Sequence, residues 1–204
     1  TDVYYSLVQD VHYPKNLAKG KKLPVVFLIH NGLEDKASWG DFPQEIARQG
    51  FFTVNLTWKN WGPAEVETAI KYTLDNYKDM IDTNRVILIG GCHGGKDALQ
   101  IIAKKDLGYK VKTAVVLSVS EDDQVVLDSQ KEDHCPILAY YALNDELGPD
   151  YQRVSKKIAE EIITEPKKVI AVDESAHGSN LVSQADSKDE IRKQIIDWIK
   201  EYSK

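Results

Sequence analysis

Short runs of apolar, often β-branched residues alternate along the chain with segments whose apolar positions recur every three or four residues. The runs predict strands over Val3–Tyr13, Val25–His30, Phe52–Trp58, Arg85–Gly90, Thr113–Val119, Ile137–Ala142 and Lys168–Val172. Several are apolar at almost every position, as strands covered on both faces must be. The periodic segments predict helices over Phe42–Gln49, Ala64–Tyr77, Gly94–Lys105, Tyr151–Ile163 and Lys188–Tyr202. In the last of these Ile191, Ile195, Trp198 and Ile199 form one apolar stripe. Pro63 and Pro149 stand just ahead of two helices, where a missing N–H costs nothing. Strand and helix in alternation predict an α/β fold: a mainly parallel sheet of about seven strands with helices on both faces. Val3–Tyr13 has no helix before the next strand and is expected to lie antiparallel at an edge. No repeat or linker interrupts the 204 residues, which are read as a single domain, 1–204.

The chemistry concentrates where Val86-Ile87-Leu88-Ile89 runs into Gly90-Gly91-Cys92-His93-Gly94-Gly95 and a helix follows at once. A tight strand-to-helix turn lifts its central side chain into the open and aims helix N-terminal amides at whatever that side chain attacks. The glycines two residues either side of Cys92 are expected because a Cβ there would collide with the crowded backbone. In a parallel sheet the site lies beyond the carboxyl ends of the strands, so the partners of a Cys92 nucleophile are sought there. A free thiol is only a few per cent ionised at neutral pH and needs a base. His177 lies in the loop between the last strand and the last helix and is the chosen base; His93, adjacent to Cys92, is expected to point away from it. Asp145, three residues beyond Ala142, is the chosen orienting carboxylate, ahead of Glu121–Asp123, Glu146 and Asp173. The oxyanion donors are expected to be the His93 backbone N–H and that of Gly32 or Leu33, in the loop after Val25–His30. His30 itself is read as structural. Trp39, Phe42, Trp58 and Trp61 sit in loops or element ends on the same side and are candidates for the walls of a substrate pocket.

The order nucleophile, acid, histidine (Cys92, Asp145, His177) and the His30-Asn31-Gly32, Gly90–Gly95, Asn144-Asp145 and Ala176-His177-Gly178 segments resemble the α/β-hydrolase superfamily over nearly the whole chain. The small size and the Cys-x-Gly-Gly element are similar to the dienelactone hydrolase family. That resemblance implies an α/β-hydrolase fold and a Cys-His-Asp triad acting on small esters or lactones through a thioester on Cys92. His93 departs from the family pattern, being bulkier and more polar than the residue that usually follows the nucleophile. Most of the superfamily carries serine at this turn, so the sequence is equally compatible with a native cysteine and with a serine replaced in the laboratory.

Composition narrows the rest. A net charge of −6 with no basic stripe argues against nucleic acid as a partner. No apolar run approaches the roughly 20 residues of a membrane helix. The two cysteines make no disulfide framework, and Cys135, before Pro136 at a strand start, is read as a packing thiol. No ligand cluster at metal spacing is seen, so neither metal nor organic cofactor is expected. The stretch between Val119 and Ile137 is too short for a lid domain, which favours small, soluble ester substrates. The absent initial methionine is compatible with a removed leader, leaving cytoplasmic and exported locations open; monomer and homodimer also remain open. Two rival functions stand beside the hydrolase. Gly90–Lys96 fits G-x-x-x-x-G-K of a P-loop nucleotide site, although Asp97 occupies the place of the Mg²⁺-binding hydroxyl. Alternatively, the hydrolase fold is catalytically silent and serves binding.

Overall fold

The computed structural model describes residues 8–57, 62–104, 106–120 and 135–204. Its strands are β1 (Val8–His12), β2 (Leu23–Ile29), β3 (Phe52–Thr57), β4 (Ile81–Gly91), β5 (Val111–Leu117), β6 (Ile137–Ala142) and β7 (Lys167–Val172). Its helices are α1 (Phe42–Arg48), α2 (Pro63–Asn76), α3 (His93–Ile102), α4 (Pro149–Glu161) and α5 (Lys188–Tyr202). The strands form one seven-stranded sheet in the order β1-β3-β2-β4-β5-β6-β7. Only β1 is antiparallel, pairing with β3 at the edge as expected; every other pair is parallel.

The two faces explain the unbroken apolar runs. Val25, Phe27 and Ile29 of β2 and Val86 and Leu88 of β4 point into a core closed by α2, α3 and α4. Val26, Leu28, Ile87 and Ile89 point the other way, into a core closed by α1 and α5. The strand period of two thus sends successive residues into two dry layers, and neither can be polar. In α5 the predicted stripe is buried, with Ile195 and Ile199 fully enclosed. Arg192 ties this helix to α1: its guanidinium meets Asp41 at 2.8 Å and Glu45 at 3.1 Å and lies over the Phe42 ring.

Trp39 and Phe42 are corrected here. Both are fully buried in the α1/α5 core rather than lining a pocket. Asp35 caps a 3₁₀ turn, Lys36–Trp39, by accepting the Ala37 N–H, and that turn carries the indole inward. Trp58 and Trp61, residues 3–7 of the first predicted strand and the 121–134 stretch read as lidless lie outside the described residues.

Phe27 is fully buried on a central strand. Phe27→Ala is therefore expected to lower the free energy of unfolding by roughly 3–5 kcal/mol, measured by urea titration; a loss below about 1 kcal/mol would mean that the layer collapses around the void.

Candidate active site

β4 ends at Gly91 and α3 begins at His93, leaving Cys92 alone to reverse the chain. It does so at φ 52°, a left-handed conformation that costs a non-glycine residue on the order of 1 kcal/mol. The turn closes so tightly that a Cβ on Gly90 would strike the Gly94 carbonyl, and one on Gly94 would strike the Ile29 carbonyl. Cys92 N–H donates to Leu117 O of β5 at 2.9 Å, while its own carbonyl accepts from Gly95 and Lys96. Gly94 packs on the Ile29 carbonyl of β2 and Gly91 on the Asn31 side chain and the Ser179 backbone, so the glycines fill against protein where a phosphate site would need open backbone amides. Asp97 is fully buried, with Lys96 Nζ 4.0 Å from its carboxylate. Both features argue against the nucleotide-site reading.

Asp145 and His177 come from neighbouring loops held together by backbone bonds. Asn144 N–H donates to Glu174 O, Glu146 N–H to Ser175 O, and His177 N–H to Glu146 Oε1. The Asp145 carboxylate is fixed at both oxygens: Oδ1 accepts the Leu147 N–H at 3.0 Å and Oδ2 meets His177 Nδ1 at 2.7 Å. That contact places the ring proton on Nδ1 and turns Nε2 inward. Nε2 is buried and makes no hydrogen bond of regular geometry, yet the Cys92 sulfur lies close enough that each group shifts the other's proton affinity.

Electrostatics then favour charge separation. Burial alone would raise the Cys92 thiol pKa, but His177, then His93 and Ser120, outweigh it and bring the value to about 6. Burial alone would lower the His177 value, but the Asp145 hydrogen bond and the nearby Cys92 sulfur outweigh it and lift the ring to about 9. The two shifts run in opposite directions, down for the thiol and up for the ring, and both favour a proton on His177 over one on Cys92. Cys135, by contrast, is pushed by burial up to about 12.

Three expectations need revision or extension. The His93 ring does not point away: its Nδ1 is 3.2 Å from Cys92 Sγ. The room for this comes from Gly32, where an added Cβ would sit 2.9 Å from the same nitrogen. Gly32 therefore does approach the turn, while the Leu33 side chain projects into solvent. Ser120 was missed; its hydroxyl lies 2.8 Å from the sulfur. Asn31 was also missed as a tie. Its Oδ1 accepts the Ser179 N–H at 2.9 Å and its Nδ2 reaches His177 O and Glu34, joining the loop after β2 to the histidine loop. Added side chains at Gly91 and Gly178 would collide with this carboxamide, so both loops close around it. His30 hydrogen-bonds within its loop as expected, donating from Nδ1 to Asn31 O at 2.6 Å, and is held below its usual pKa by burial. Tyr151 of α4 stands edge-on to the His177 ring, 5.8 Å between centroids, and is half exposed above it.

The described residues contain no group of three or more His, Cys, Asp and Glu placed to hold a metal, and no helix long and apolar enough to cross a membrane. Residues 49–203 match the model of the dienelactone hydrolase family. The structure resembles the dienelactone hydrolase of Anabaena variabilis ATCC 29413 with a TM-score of 0.74 at 12% identity, covering 98% of this chain and 94% of that one. It resembles the monoacylglycerol lipase of Paleococcus ferrophilus with the same TM-score at 11% identity, covering 98% and 100%. At such identities the likeness carries the fold, which is the α/β-hydrolase fold. In sequence, 149 residues are 32% identical to a probable dipeptidyl-peptidase 5 of Aspergillus clavatus, covering 59% of this chain and 20% of that protein. The chain thus spans about a fifth of the length of the curated relatives it matches.

Iodoacetamide should label Cys92 at a rate half-maximal near pH 6 and leave Cys135 untouched in the native protein. Peptide mass spectrometry after timed labelling reads this. A midpoint near the ordinary thiol value of about 8.5 would mean that the histidines do not ionise the sulfur.

Proposed function

The chain belongs to the dienelactone hydrolase family, and from that premise we propose that it hydrolyses small carboxylic esters or lactones through a thioester on Cys92. The observation that carries the reading is the 2.7 Å contact of Asp145 with His177, together with the reversed proton affinities of His177 and Cys92. Family membership supports hydrolysis as the reaction class, and the residue roles and the substrate class are proposed with it.

The thiolate of Cys92 attacks the carbonyl carbon, and the carbonyl π pair moves onto oxygen. The His93 backbone N–H at the start of α3, with that of Gly32 or Leu33, receives this oxyanion. Collapse expels the alkoxide, which takes the Nε2 proton of His177, and leaves the thioester. The now neutral His177 removes a proton from water as it attacks the thioester. The C–S bond breaks, its pair returns to sulfur, and the thiolate–imidazolium pair is restored. Asp145 holds the tautomer and balances the imidazolium charge through both halves. No step calls for a metal or an organic cofactor.

A second substrate class follows from the sequence similarity to dipeptidyl-peptidases: peptide amides cleaved through the same Cys92 and His177. An amine leaves less readily than an alkoxide, so protonation by His177 would then decide the rate.

Hydrolysis of p-nitrophenyl acetate tests the proposal, with dipeptidyl p-nitroanilides assayed alongside. Cys92→Ala and His177→Ala are expected to lose roughly 10⁴-fold in kcat/KM. The pH profile of the parent should be a bell. Its acid limb near 6 is where the ion pair forms, and its alkaline limb near 9 is where His177 loses its proton. If both alanine variants hydrolyse the ester as fast as the parent, catalysis at this site is refuted and a silent binding fold becomes the better reading. A Cys92→Ser protein much faster than the parent would identify the cysteine as a replaced serine.

A further inference from the structure

We propose that Ser120 is a further catalytic residue of this site, its hydroxyl donating to the Cys92 sulfur whenever that sulfur carries negative charge. The inference rests on the Cys92 reading above but not on ester hydrolysis as such.

Placement comes first. The chain leaves β5 through Ser118, a non-glycine residue at φ 44°, in the left-handed region. Such a residue is strained and persists only where its surroundings enforce it. The surroundings are the Cys92 turn. Leu117 O accepts the Cys92 N–H, and Ser118 N–H is held by Tyr140 O at 2.9 Å on the neighbouring strand. The Val119 side chain packs against Gly95, where an added Cβ would be 2.8 Å from its Cγ2. Ser120 then brings its hydroxyl to 2.8 Å from Sγ, and the residue is 1% exposed. Residues 117, 119 and 120 thus wrap successive parts of the turn, and the strained residue between them is what sends the chain back over it.

Chemistry assigns the direction. A thiolate is acceptor only, so at this contact the O–H must donate. In a buried site a hydrogen bond to a charged acceptor is about twice as strong as one to a neutral acceptor. The bond therefore weakens when Cys92 is acylated, because a thioester sulfur carries no charge, and strengthens again as the C–S bond breaks. The hydroxyl stabilises the thiolate both as nucleophile and as leaving group, without giving up its proton. Among the described residues, His177 and His93 are the ionisable groups that act on the sulfur, and Asp145 acts through His177; Ser120 adds a neutral donor from a separate element. His177 must also hand its proton over and take it back, whereas Ser120 stays in one role throughout.

Alkylation of Cys92 by iodoacetamide across pH isolates this contribution. Ser120→Ala is expected to move the midpoint up by about one pH unit, the effect of losing one hydrogen bond to a charged group. Labelling at about pH 6.5 should slow by about threefold, the drop in thiolate fraction that one unit produces. Ser120→Gly removes the hydroxyl without a side chain and should move the midpoint equally, so a folding defect peculiar to one variant does not hide the result. Ser120→Thr, which keeps the hydroxyl, should restore most of the parent profile, and a merely structural serine would not produce that rescue. Superposition of the Ala or Gly profile on that of the parent overturns the proposal. Ester turnover that proves independent of Cys92 would sink the proposed function, yet the alkylation profile would still judge Ser120. Turnover that depends on Cys92 with an unmoved profile would sink only the role of Ser120.

Discussion

One residue reverses the chain between the central strand and the helix behind it, and most of the site follows from that reversal. With Cys92 at φ 52° and glycines closing the turn, the thiol cannot retreat into either apolar layer. It is held at the carboxyl edge of β4, next to the exit of β5 and opposite the loop after β2. The neighbours on each side are matched to it: a backbone carbonyl from Leu117, a hydroxyl from Ser120, and the ring of His93 seated over Gly32. The strain at Cys92 and Ser118 is held in place by seven strands of hydrogen-bonded sheet and two dry layers.

Around that turn the proposed charge pair lies where almost no water reaches; Cys92 is 4% exposed and His177 is 3% exposed. Burial opposes both charges, so their survival depends on partners rather than on solvent. Each has several. The sulfur has two imidazoles and a hydroxyl, and His177 has Asp145, whose other oxygen is occupied by a backbone amide. Asn31 carries the remaining constraint, tying the histidine loop to the loop expected to supply an oxyanion donor.

Much of this was legible from the residues. The apolar runs announced a sheet covered on both sides, and the stripe Ile191, Ile195, Trp198, Ile199 marked α5 to its ends. Strand β4 began earlier than expected, at Ile81, which pairs with Leu23 of β2; residues 82–85 form an irregularity before the Val25–Val86 pair, at a less buried end where apolar side chains are not required. The pairing of Asp145 with His177 could be read from their positions just past strand ends. What was not legible depends on side chains filling space left by others. Trp39 looked like a pocket wall from its place in a loop, but a capped 3₁₀ turn carries it into the core. His93 was expected to point away by the geometry of adjacent residues, and the missing Cβ of Gly32 is what allows its return. Ser120 carries no periodic signal; only its distance of three residues beyond Leu117, at the carboxyl side of the sheet, hinted at the site. Asn31 sat inside a recognised loop, but a contact with residues 146 and 148 positions away has no local signature.

The central claim is that in the resting protein the shared proton sits on His177 and the charge on sulfur. Ring ¹⁵N chemical shifts of His177, followed by nuclear magnetic resonance across the pH range, observe that proton directly. The account predicts a ring protonated at both nitrogens through neutrality and losing its proton only near pH 9. In Cys92→Ala, which removes the anion, the loss should come at lower pH. A His177 ring already neutral at pH 7 in the parent, with the same titration in the alanine variant, would contradict the account.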